Sequence, residues 1–407
     1  MWVLFVWHSF SYIFWVHSNQ SNAVDDILQF ESQFWVKNKI VGFIFDTFET
    51  GDLNFFQKQV NLLGKDRIYH ISISPFGYTA KEVLDWAYDK EYKRFFSFVK
   101  KNNLKVIFRT AHEMNWSWYS WSGNPEDFKK MWQRVYKLSR DEGLTRENIL
   151  FDFSVNSIDL PKWKNGRMIV CNPWYKKISN CLSFEDYYPG DKYVDIMWLT
   201  LYNWWRARGK YWAYWRSFAN LLFDKKTKIF YRLKKYWKPI VIDELWTTAV
   251  NFSGKWSFSK VLNSYKYNYY WKNQWLKNAA KTLKQIPEIV AVVYFNKDKT
   301  NWFKNPMVWE LDWSVFNYRT NKIYTGVLDL YSNQSGKLPF VPTKQEILAK
   351  YVDIINKFVK FYSMADIEKI KKVKQKLELL KNNKQYSVLV EYLIDLANGF
   401  LSLKSWF

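Results

Sequence analysis

Two glutamates carry the most chemistry in this sequence. Glu113 stands in Arg109-Thr110-Ala111-His112-Glu113-Met114-Asn115, just behind the apolar run Leu104–Phe108, and Glu244 ends the run Lys238-Pro239-Ile240-Val241-Ile242-Asp243. Two carboxyls facing each other across a cleft can divide the labour of breaking an acetal. One protonates the leaving oxygen and the other attacks the anomeric carbon, with about 5–5.5 Å between them when configuration is retained. Taken alone, two Glu at strand ends carry little weight, because many such residues are merely solvated. Other catalytic constellations are poorly supplied. There are four His, and His8, His17 and His70 lie far in sequence from suitable Ser or Cys partners. No HExxH motif and no Cys/His cluster suggests a metal, and no GxGxxG or GxxxxGK loop follows a strand. The sequence therefore predicts no cofactor and no metal.

Positioning such a pair requires a scaffold, and the hydropathy pattern supplies one. Short β-branched or aromatic runs predict strands at Tyr12–Val16, Lys39–Phe45, Arg67–Ile73, Leu104–Phe108, Ile149–Phe153, Val194–Leu199, Pro239–Asp243 and Ile289–Phe295. Helical periods fall between them, for example over Ala80–Lys101 and Asp127–Arg140. The second opens with Asn124 as N-cap, Pro125 in the first turn, and Glu126 and Asp127 facing the positive helix end. Alternating strands and helices imply parallel pairing. Eight such units in roughly 300 residues predict a closed (β/α)8 barrel rather than an open sheet, with active-site residues at the C-terminal strand ends. Glu113 then follows the fourth strand and Glu244 the seventh. Residues 12–340 form the expected barrel domain. Beyond it, Thr343-Lys344-Gln345-Glu346 is a capping-box pattern, and amphipathic helices are expected over 341–407, as an appendage on the barrel or a small separate module.

The residues around the two Glu narrow the reading. The stretch RTAHEMNWSWYSW, with YYPGDKYVDIMWLTLYN and KPIVIDE further on, resembles glycoside hydrolase family 26, which includes β-mannanases and some mixed-linkage β-glucanases. The resemblance runs from about Tyr12 to Phe316 and includes the FESQF and VGFIFD segments. It implies a retaining endo-hydrolase of a β-linked polysaccharide, foremost β-1,4-mannan, with Glu113 as acid/base and Glu244 as nucleophile. It also implies that His112 binds sugar at the cleavage point and that Tyr202 donates a hydrogen bond to the nucleophile. Arg109 would add positive potential, and Trp118 and Trp121 would stack on sugar faces. Each of these side chains also has a plain structural reading, as core, packing or ion pair. Family members often carry Asp two residues before that Tyr, where this chain has Thr200, which leaves the choice of sugar open. The alternatives are a mixed-linkage β-glucanase, an exopolysaccharide hydrolase, or a catalytically inactive carbohydrate-binding barrel.

Composition bounds these readings. The formal charge of +23 would suit an anionic partner, but the lysines are scattered along the chain. Their densest stretch, IEKIKKVKQKLELLKNNK, reads as the solvated face of a helix whose apolar stripe is Ile367, Ile370, Val373, Leu377 and Leu380. The expected partner is a polysaccharide, with no nucleic acid; the sequence does not set the oligomeric state. No apolar run reaches the roughly 20 residues of a membrane span. The apolar stretch MWVLFVWHSFSYIFWV lacks a basic leading segment, and a first barrel strand is the preferred reading over a signal peptide. A secreted or cell-surface location is the expectation. Cys171 and Cys181 could pair in an oxidising compartment, but two cysteines make no disulfide framework.

One imbalance stands out. The chain has 25 Trp and 13 Gly, whereas Gly is ordinarily about 7% of residues. Trp15, Trp35, Trp86, Trp116, Trp198, Trp246 and one of Trp204 and Trp205 fall where the family pattern has glycine. Reading a UGA codon as tryptophan where the organism reads glycine would produce this substitution throughout.

Overall fold

In the computed structural model the described residues are 37–159, 182–203, 216–247 and 272–295 apart from isolated positions, strands at 11–15, 161–164 and 167–170, and scattered residues elsewhere. For Asp243, Glu244 and Trp246 the backbone alone is described. Residues 341–407 lie outside this set but for two positions, as do Cys171, Cys181 and Trp118.

Eight parallel strands close into a barrel. In chain order they are β1 (Ser11–Trp15), β2 (Ile40–Phe45), β3 (Ile68–Ile73), β4 (Lys105–Arg109), β5 (Ile149–Asn156), β6 (Ile196–Asn203), β7 (Ile240–Thr247) and β8 (Ile289–Phe295). All eight sequence-predicted strands are present. β1 pairs with β8 at five positions, from Ser11↔Ala291 to Trp15↔Phe295, but with β2 at Phe14↔Val41 alone. The seam of the barrel therefore lies between β1 and β2. A small antiparallel hairpin, Pro161–Lys164 with Arg167–Val170, stands after β5.

Strands β2 to β6 are buried on both sides along nearly their whole length, as parallel strands covered by helices must be. Outward residues meet aromatic helix faces. Tyr69 of β3 packs edge-on against Phe56 of α1 (Thr50–Leu63) at 5.5 Å, and Phe153 of β5 against Trp132 at 5.6 Å. Trp132 belongs to α4 (Pro125–Asp141), which buries Phe128, Met131, Trp132, Val135 and Leu138. That three- and four-residue spacing is the inward stripe of a helix. The Asn124 side chain accepts from Asp127 N at 3.2 Å, the N-cap expected from sequence.

The expected helix over Ala80–Lys101 is two helices, α2 (Ala80–Leu84) and α3 (Asp89–Asn102). The chain reverses between them with Trp86 at φ 81°, a left-handed conformation that apolar periodicity does not register. The inward residues of the barrel are unusually polar: His70, Ser72, Arg109, Asp152 and Ser154 are fully buried. His70 Nε2 meets Asp152 Oδ2 at 2.8 Å, and because β3 and β5 are not neighbours this bond crosses the barrel interior.

Candidate active site

β4 ends at Arg109, and the turn after it carries Glu113. Ala111 (φ 44°) and Glu113 (φ 50°) are both left-handed and both buried. Non-glycine residues in this region cost free energy and persist only where the surroundings hold them. Here Glu113 N donates to Ser154 O on β5 at 2.8 Å, and Trp116 N donates to Glu113 O at 2.9 Å. Strain is thus concentrated at the carboxylate singled out by the sequence.

Asn156, the last residue of β5, holds that carboxylate. Its Nδ2 donates to Glu113 Oε1 at 2.9 Å. Asn156 is itself fixed, since its backbone N donates to Asn115 Oδ1 at 2.9 Å and its Oδ1 accepts from Ile158 N at 3.0 Å. Asn115 Nδ2 in turn donates to Asn156 O at 2.9 Å and to Asp159 Oδ1 at 3.3 Å. Asp159 pairs with Arg232 of α6 (Ile229–Lys234), the helix after α5 (Phe218–Leu222), at 2.5 Å, both almost wholly buried. A continuous polar chain therefore runs from Glu113 to a helix on the outside of the barrel.

His112, beside Glu113, is wired at both ring nitrogens. Nδ1 lies 2.9 Å from Ser74 Oγ, just past β3, and Nε2 lies 3.0 Å from the Tyr119 hydroxyl. Tyr119 stacks on Trp121 at 4.5 Å and 9°, and Trp121 Nε1 donates to His112 O at 2.9 Å. With 1% of its surface exposed, Trp121 offers a ligand almost no face of its own and acts instead as the support beneath Tyr119. Phe76, 39% exposed, lies 5.3 Å from Trp121 and 5.9 Å from Tyr119. The exposed aromatic surface beside His112 thus includes Phe76 and Tyr119.

Arg109 is fully buried, and its Nε donates to Ser72 Oγ at 3.2 Å. Burial, together with nearby Arg109 and His112, holds the His70 pKa well below its ordinary value. Opposite β4, the backbone of β7 carries Glu244. Between Ile242 and Leu245 this strand has one residue more than either neighbour. Leu199 and Leu201 of β6 pair with Ile242 and Leu245, and so do Val292 and Tyr294 of β8. The extra residue falls at Asp243-Glu244. Bulges of this kind gather next to active sites, where they re-aim a side chain. Thr200 is buried in β6 beside the bulge, and half-buried Tyr202 pairs with Trp246.

The structure therefore brings together Glu113, His112 and Trp121 on one turn, with Arg109 below. It adds Asn156, Ser74 and Phe76, which no motif singles out, and Tyr119 from within the RTAHEMNWSWYSW stretch. Ser74 and Asn156 had a positional signal, since each stands at or just past the C-terminal end of a predicted strand. Among the described residues, no group of three or more His, Cys, Asp or Glu is placed to hold a metal ion, and no helix is long and apolar enough to cross a membrane.

The fold defines a class: the closed (β/α)8 barrels. Xylanase 10B of Thermotoga petrophila shares it with a TM-score of 0.51 at 12% identity, covering 80% of this chain and 95% of that one. A family 26 endo-β-1,4-mannanase catalytic domain from Bacillus sp. JAMB-750 is also similar, with a TM-score of 0.47 at 17% identity over 80% of this chain and 88% of its own. In sequence the chain is 22% identical over 244 residues to Endoglucanase H of Acetivibrio thermocellus, covering 58% of this chain. It spans 22% of that relative's length. No protein-family profile matches. These three proteins are named as a xylanase, an endo-β-1,4-mannanase and an endoglucanase.

Proposed function

We propose that the chain is a retaining endo-glycoside hydrolase acting on a β-linked polysaccharide, with Glu113 as acid/base and Glu244 as nucleophile. The observation that carries the reading is the hold on Glu113. A strained, buried carboxyl past β4, hydrogen-bonded by Asn156 and flanked by a doubly anchored His112, has the preorganisation that proton transfer to a leaving oxygen needs. Glu113 protonates the glycosidic oxygen while Glu244 forms the glycosyl-enzyme; Glu113 then takes a proton from water as that intermediate is hydrolysed. His112, Phe76 and Tyr119 bind sugar, with Trp121 behind Tyr119, while Trp118 stacks on a sugar face and Arg109 sets the potential from below. Tyr202 steadies the nucleophile.

β-1,4-Mannan is the first substrate to test, following the family resemblance. β-Glucan is the second, because Thr200 replaces the Asp usual in the family and the matched relative is named an endoglucanase. In this reading residues 12–340 are the catalytic barrel, 341–407 a helical appendage, and the protein works outside the cell or on its surface, where polysaccharide is met.

Glu113→Ala is expected to lose cleavage of natural glycans while keeping part of its activity on aryl glycosides with good leaving groups. Glu244→Ala is expected to lose both. Ordinary turnover of a natural glycan by either variant would overturn the assignment, and an inverted anomer in the first product would overturn retention.

A further inference from the structure

Three helices of this protein end in one hydrogen-bonded closure. After α4, Gly143 takes φ 75°; its N–H and that of Leu144 return to Arg140 O (2.9 Å) and Ser139 O (3.1 Å). After α3, Asn103 takes φ 49°, and Asn103 and Leu104 return to Lys100 O and Val99 O, both at 3.1 Å. After α2 the residue is Trp86 at φ 81°, bonding Val83 O at 3.2 Å, while Ala87 bonds Glu82 O at 3.1 Å. The left-handed residue of this closure is usually glycine and sometimes asparagine, because a Cβ crowds the neighbouring carbonyl. The first two positions obey that rule and the third holds the bulkiest side chain.

The same conflict recurs. Trp237 follows α6 with φ 52°, its N–H bonded to Lys234 O at 3.1 Å, and Pro239 lies two residues on. Trp35 has φ 53° ahead of β2. Left-handed bulky residues are outliers, and these three are also the exposed tryptophans among the described residues: 95% for Trp35, 69% for Trp86 and 39% for Trp237. By contrast Trp121, Trp132 and Trp275 are buried, and each Nε1 donates to a carbonyl, of His112, Tyr193 and Arg216 respectively. Trp198 fits neither group. It is buried in β6, its ring lies 4.1 Å from that of His70, and its Nε1 has no acceptor among the described residues, a costly state for a buried donor.

We infer that residues 35, 86, 198 and 237 are glycine in the protein as its own cell makes it, through a genetic code that reads UGA as glycine. Left-handed turns at surface indoles and an unsatisfied buried donor are separate faults, and glycine removes both. It also redresses the imbalance of 25 Trp to 13 Gly. The same reading extends to residues 116 and 246, three and two positions past the two glutamates, where bare backbone lets a sugar chain come close. The inference rests on backbone geometry and stands apart from the proposed activity.

The direct test is the coding sequence, with peptide masses from the source organism. UGA is expected at 35, 86, 198 and 237, and UGG at 121, 132 and 275, with the first four peptides carrying the mass of glycine. UGG at 35, 86 and 237, or tryptophan mass in those peptides, would overturn it. A second test uses the expressed chain and needs no activity. Trp35→Gly, Trp86→Gly and Trp237→Gly combined should melt above both the parent and the matching triple alanine variant. Alanine removes the same exposed rings but keeps the Cβ, so equal melting of the two triple variants would also count against the inference.

Discussion

A neutral amide holds the carboxyl of Glu113, and that choice has a measurable consequence. Asn156 transfers no proton in the proposed reaction; it acts through the Glu113 carboxyl that it holds, and is itself fixed by Asn115 and Ile158. Asn156→Ala is expected to lower kcat by about 10- to 100-fold with KM little moved, as misplacement of a reacting group does. An equal effect on KM would mean that Asn156 serves binding. His70 makes a second prediction. Its folded pKa lies below the ordinary 6.5, so acid protonates the unfolded chain first. Stability is full above about pH 6.5 and declines as pH falls below it, by at most about 1.4 kcal/mol per unit for this one group. Denaturation midpoints followed from pH 7 to 5 should show that slope, and His70→Gln should flatten it. Glu113, His112 and Glu244 were legible because their motif is contiguous or sits at a strand end. Asn156 and Ser74 were harder to read, because their contacts depend on which strand ends meet in space, and position after a strand alone does not set a polar residue apart from other loop residues.

At the scale of elements, the eight strands were legible because β-branched runs bounded by turns leave few other readings. The break between α2 and α3 was not. The apolar stripe continues through it, and the reversal is imposed by one left-handed residue that carries the wrong side chain for a turn signal. The bulge in β7 was hidden for another reason: an extra residue shows only against the register of both neighbours. The polar chain from Glu113 to α6 ties an outer helix to the turn after β4. Arg232 ends it, buried against Asp159 and also paired with Glu185. Arg232→Met is expected to cost about 3–5 kcal/mol, because it leaves Asp159 buried without its cation. Urea unfolding would measure this. A loss well under 1 kcal/mol would show that Asp159 simply protonates or is reached by water.

For the whole molecule, the charge of +23 and the neutral glycan of the proposed reaction make opposite demands on salt. Contacts with a polyanion weaken steeply between 50 and 200 mM salt, by about 10³-fold or more when six phosphates or more are engaged. Hydrolysis of mannan or β-glucan should change little over that range, and a steep fall would point to an acidic glycan as the substrate. The left-handed residue 35 has a different kind of reach. It precedes β2, so seven of the eight barrel strands are encoded downstream of it. If its codon is UGA, a bacterium that treats this triplet as stop would release a fragment with no barrel. The gene would then be silent to most neighbours that acquired it, and a nutritional trait would be confined to lineages sharing one dialect of translation.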